Sequence, residues 1–133
     1  MVKIIDPWNR VNGNIQTVVK KDYPKCSFTT DKEDTPPTLP CVCVEQVDLP
    51  THTDLEINEC MVTSVIEIKT YSSKDLPEAR KLGNICADAM AFMGYTRKYG
   101  PKKIDNPNAT NIKSTIARYQ RLVGDVSDIE KMS

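Results

Sequence analysis

The chain has 133 residues, with eighteen basic and eighteen acidic residues, one histidine, a hydrophobic share of 39% and a charged share of 27%. That length suits a single domain over residues 1–133, large enough to bury roughly two-thirds of its unfolded surface around one core without staples. The cancelling charges leave no field to attract a polyanion, which excludes nucleic acid as the expected partner, and no apolar run approaches the roughly 20 residues needed to cross a bilayer.

The opening MVKIIDPWNR lacks the apolar core of a secretory signal, so synthesis and retention in the cytoplasm are expected. Asp6-Pro7 can start a helix, with Asp6 as cap and Pro7 in the first turn. Trp8, Val11, Ile15 and Val18 or Val19 then recur at helical spacing, which predicts a helix over 7–22 closed by Tyr23-Pro24. A short strand near 26–30, a proline-rich loop over 31–40 and a firmer strand over 41–48 follow. In the second strand Val42 and Val44 face one way, and Cys41, Cys43 and Glu45 the other. LPTHTDLEINE reads as a polar connection. Over 61–72, Val62, Ile66 and Ile68 alternate with Thr63, Glu67 and Lys69, as in a strand with one buried side.

Asp75-Leu-Pro-Glu78 is a capping-box pattern and Gly94 stands where a left-handed terminator belongs. Between them Ala79, Leu82, Ile85, Cys86, Ala89, Met90 and Met93 form a stripe that should cover a sheet, and the small Ala79, Gly83 and Ala87 allow close approach. A strand near 95–100, a tip holding Gly100-Pro101 and Asn106-Pro107-Asn108, and a long strand near 112–123 complete a hairpin. In its second arm Ile116, Arg118, Gln120 and Leu122 alternate with Thr115, Ala117, Tyr119, Arg121 and Val123. Such mixed faces fit either a protein interface or an edge strand guarded by charge. The tail GDVSDIEKMS is a frayed end or a short helix. The elements together predict an α+β fold, a mostly antiparallel sheet packed by two helices, with an extended hairpin and long loops.

Machinery for chemistry is sparse. His52 is the single imidazole, and no nucleophile elbow, Walker loop or dinucleotide fingerprint occurs. Five cysteines without a C-x-x-C pair read as buried, reduced thiols, although Cys41, Cys43 and a further thiol leave a small metal-binding domain or enzyme as a lesser alternative. No catalytic residue, metal or cofactor is therefore expected.

The run Cys60-Met-Val-Thr-Ser-Val-Ile-Glu-Ile-Lys-Thr-Tyr-Ser, then Glu78-Ala-Arg-Lys-Leu, Met93-Gly-Tyr-Thr-Arg, Asn106-Pro-Asn-Ala-Thr and Ile116-Ala-Arg-Tyr, in this order, covers about residues 40–123. It resembles the tail terminator, or tail completion, proteins of long-tailed bacteriophages and prophages, with Tyr95 where that family more often has Phe. The resemblance implies a non-enzymatic virion subunit that forms a ring, six copies in that family, on the head-proximal end of the tail tube. There it would stop tube polymerisation and meet the head connector, the sheath or, in headless phage-tail-like bacteriocins, close the particle as a collar. Its location would then be the cytoplasm during assembly and afterwards the tail end, neck or collar. A head-tail joining or head completion protein is the alternative of the same kind. On this view Arg97, Lys98, Lys102, Lys103, Asn106, Arg118 and Arg121 are candidates for contact with neighbouring subunits or the tube, and residues 97–113 and 31–40 are expected to project from the body.

Overall fold

The computed structural model describes residues 5–29, 40–53, 59–104, 112–124 and 129–131. Among these, two helices lie against one face of a six-stranded sheet that is antiparallel except for one parallel pair, an α+β architecture. The elements run α1 (Trp8–Asp22), β1 (Ser27–Thr29), β2 (Cys41–Asp48), β3 (Thr51–Thr53), β4 (Glu59–Ser72), α2 (Leu76–Phe92), β5 (Thr96–Ile104) and β6 (Lys113–Val123).

α1 begins as the sequence suggests, with one change of detail. The helix is capped at Pro7, and Asp6 serves from one residue further out, its Oδ1 accepting from the Trp8 N–H at 3.1 Å. Val11, Ile15 and Val19 are buried to 0% exposure, and the Trp8 indole N–H donates to the Val44 carbonyl at 3.2 Å, which ties the start of the helix to β2. In α2 the cap is Asp75, whose carboxylate accepts from the Glu78 N–H at 2.9 Å. The return half of the capping box goes elsewhere, because the Glu78 carboxylate accepts instead from the Ser72 hydroxyl at 2.7 Å and so fastens the helix to the end of β4. At the other end Gly94 takes φ +84°; its N–H donates to Ala91 and that of Tyr95 to Met90, the paired bonds that satisfy the last carbonyls of a helix.

The strands are ordered β1-β2-β4-β6-β5, and β3 pairs with β4 beyond the end of β2. The segment expected to be a plain polar connection therefore contributes a strand. Pro50 has no N–H to give, but its carbonyl accepts from Thr63 at 2.9 Å, so the chain bends at the proline and resumes pairing at Thr51. β5 also runs further than its sequence suggests. Gly100-Pro101, expected in the hairpin tip, lies inside the strand, with a cis peptide bond, φ +80° at Gly100 and a register shift between Tyr99 and Lys102. Residues 97–104 are thus sheet, not projecting loop. Asn106 and the rest of the tip, and 31–39 of the proline-rich segment, lie outside the described residues.

β6 is not an edge. It pairs along its whole length with β4, from Lys113↔Ser72 to Val123↔Val62, and its other side carries β5. The mixed character of its faces consequently has nothing to do with guarding an open edge. The side facing the helices supplies Ala117, Tyr119 and Val123 to a core shared with Val42, Val44, Val62, Ile66, Ile68, Leu82, Cys86 and Met90. The other side has no helix over it among the described residues.

Candidate functional site: the open face of the sheet

Strand alternation and register assemble this face from four strands. Glu45 of β2 stands opposite Glu67 of β4, Glu67 opposite Arg118 of β6, and Arg118 opposite Tyr99 of β5, so one continuous row crosses the sheet. Paired residues share a face, and the next row runs Cys43, Lys69, Ile116 and Lys102. Glu67 is 2% exposed, which would be costly for a carboxylate without partners. Arg118 Nη2 donates to its Oε2 at 2.7 Å and Nε at 3.3 Å, and the Tyr99 hydroxyl donates to the same oxygen at 3.3 Å. Two cations bracket the Tyr99 ring, the Lys102 ammonium 4.7 Å and the Arg118 guanidinium 5.7 Å from its centre, within the range where a ring attracts a cation. Lys69 is held in the same manner 5.0 Å from Tyr71.

The face is graded along the strands. At one end Cys41, Cys43, Tyr71 and Ile112 form a small buried cluster of their own. In the middle lies the charged and aromatic row. At the other end Leu122, opposite Thr63, is 53% exposed, one of two large apolar side chains so placed among the described residues. Away from the buried cluster this surface presents the half-exposed Arg118, the exposed Lys102 and a single exposed apolar side chain, Leu122, on a rigid sheet. It suits contact with another macromolecule.

The candidate residues from the sequence do not all meet here. Arg118 and Lys102 do. Arg97 and Lys103, opposite Tyr119 and Thr115, belong to the helix side of the sheet, and Lys98 is exposed at the irregularity between Arg97 and Tyr99. The run of four cations around 97–103 is therefore not one patch; the two-residue period of a strand deals it to two faces. Arg121 also faces the helix side, where its Nε lies 2.9 Å from the point a Cβ on Gly94 would occupy. A guanidinium beside the last turn of α2 sits at the negative end of the helix dipole, a structural role independent of any partner. Missing from the sequence-based set are Glu67, Tyr99 and Lys69. Glu67 and Lys69 look like solvent-facing members of an alternating strand, and Tyr99 is half hidden beside Gly100-Pro101. Only the register, which sets Arg118 opposite Glu67 across 51 residues of chain, brings them together.

A second feature lies on the helix side. Ala87, Asp88 and Ala91 of α2, with Tyr95, Arg97 and Tyr119, line a cleft of about 210 Å3. Burial pushes the Tyr119 phenol well above its ordinary pKa, with smaller effects from Cys86, Arg97 and Asp88. Cys26 and Cys86 are buried free thiols whose pKa values burial raises to about 12, so neither is a thiolate nucleophile near neutral pH.

A scan against protein-family models and a search of curated proteins both return no match to this chain.

Proposed function

We propose that this protein is a tail-terminator-like structural subunit that closes the head-proximal end of a tail tube as a ring of six copies. The order of short motifs between residues 40 and 123 suggests the assignment, and the observation that carries it is the sheet face away from the helices: a rigid surface with Arg118 and Lys102 held near Tyr99, and Leu122 exposed towards one end of it. A closed ring of more than two copies meets its neighbours head to tail and needs two unlike surfaces on each subunit. The open face, with its charged row, and the helix side, with its cleft and the 76% exposed Phe92, differ in just this way.

The mechanism is capping by shape. One side of the ring matches the last layer of tube subunits and adds to it; the other side lacks the surface on which a further tube layer would dock and is offered instead to the connector, the sheath or a collar. Each subunit contributes modest contacts, and symmetry multiplies them, so no single contact has to dominate. No bond is made or broken.

Light scattering on the purified protein tests the ring. Six times the 15.0 kDa of one chain is the expected mass of the protein alone, or the expected gain in mass per tube end once tube ends are supplied. A monomer under both conditions would count against it. Replacing the exposed Lys102 with glutamate and the exposed Leu122 with aspartate should lower the mass to that of one chain while leaving the circular dichroism of the helices in place.

A further inference from the structure

We propose that residues 5–8 are an edge guard: their side chains close the outer edge of β2 where β1 stops, and without them that edge pairs with the same edge of a second copy. An open strand edge is a template for another strand, and proteins that leave one cover or interrupt it. β1 spans only Ser27 to Thr29, opposite Cys41 to Cys43, while β2 continues to Asp48. Over 44–48 no strand lies on that side of β2 among the described residues.

The Ser27 N–H donates to the Pro40 carbonyl at 3.0 Å, so the main-chain groups turned towards this edge are those of Pro40 and, at the two-residue period of a strand, Val42, Val44 and Gln46. The first carbonyl of that series beyond the register of β1 belongs to Val44. It accepts from the Trp8 indole N–H at 3.2 Å, a side chain where the next strand amide would stand. Two residues on, the Gln46 side-chain amide donates to Asp6 Oδ1 at 3.0 Å. Asp6 and Trp8 thus meet Gln46 and Val44 in reverse order at matching spacing, as an antiparallel strand would, but through side chains. Pro7 between them has no N–H with which to prolong the sheet. Ile5, 2% exposed, and the buried Pro7 anchor the segment, and the charged Asp6 stays exposed. These properties close an edge; they do not extend it.

The occupant of the uncovered edge is a second copy because the edge is self-complementary. Antiparallel pairing about a two-fold axis sets 44–48 of one copy against the same residues of the other. The inference stands apart from the ring, since it concerns the change from the parent protein, whatever mass the parent has.

Asp6→Ala combined with Trp8→Phe removes both ties and keeps an aromatic ring where Trp8 packs on the core. Light scattering over a range of concentrations should give this variant about twice the mass of the parent, as pairing about a two-fold axis requires. Hydrogen exchange at the Gln46 backbone amide should slow in the paired form, and the circular dichroism of the helices should be unchanged. If the double variant does not fold, Trp8→Phe alone carries the same test in the same direction. A mass equal to the parent's at every concentration, or a larger mass with Gln46 exchanging as in the parent, would overturn the assignment.

Discussion

Arg118 and Glu67 are partners of unequal standing, one 40% exposed and the other 2%. Loss of either leaves the other alone, but the consequences differ. A half-exposed guanidinium can turn to water; a carboxylate at 2% exposure cannot. Arg118→Ala should therefore cost about 2–3 kcal/mol and Glu67→Gln about 1 kcal/mol or less, read from urea unfolding of the two variants. Equal losses would mean that the pair acts as an ordinary surface ion pair, for which about 0–1 kcal/mol is usual. At this scale the sequence is least informative. Glu67 occupies the polar phase of an alternating strand, and nothing within the strand shows that this phase is buried. The reason is Arg118, which arrives from β6.

Elements were more legible, because their signals are local. Asp75 and Gly94 bound α2 through hydrogen bonds close to its ends, Pro77 sits in its first turn where no N–H is needed, and the stripe from Ala79 to Met93 is the face that the sheet buries. The same locality misleads at β5. Gly100-Pro101 has the composition of a turn, yet here it forms an irregularity in an outer strand, a position that tolerates a proline. Gly100 is required there: besides its positive φ, a Cβ would lie 2.1 Å from the Ile116 carbonyl oxygen. Pro101 in turn presses on α2, and two helix glycines give a contrast that tests this packing. A Cβ at Gly13 meets nothing within 4 Å, whereas one at Gly83 would fall 2.8 Å from the Pro101 ring and 3.2 Å from Thr115 Oγ1. Gly13→Ala should stabilise by up to about 1 kcal/mol through helix propensity. Gly83→Ala should destabilise by about 1–3 kcal/mol despite the same propensity gain, since the close approach of helix and strand has no room to give. Thermal unfolding of the two variants checks both signs, and stabilisation by both would show that α2 is not pressed against β5.

For the whole molecule, the core imposes a pH dependence. Cys86 is fully buried, and its thiol and that of Cys26 ionise in the folded protein only near pH 12 against an ordinary value of 9.0. A raised acid pKa means that the folded state holds its proton more tightly than the unfolded one. For the fully buried Cys86 the associated stability is complete below pH 9 and is lost as pH rises from 9 towards 12, by about 1.4 kcal/mol per pH unit, with a smaller contribution in the same direction from Cys26. Unfolding free energies measured over that window should fall less steeply in Cys86→Ala than in the parent; parallel slopes would contradict the burial of this thiol. The alternation and caps of the sequence were enough to anticipate a helix-covered, mostly antiparallel sheet. They could not show how its surface is shared out, since Arg97, Lys98, Lys102 and Lys103 are neighbours along the chain but occupy different sides of the sheet. Closure of a tube by shape is a claim about the assembled particle, and the lengths of tails in electron micrographs of particles made without this protein test it most directly. Overlong tails of irregular length are the predicted result; tails of normal, uniform length would contradict it.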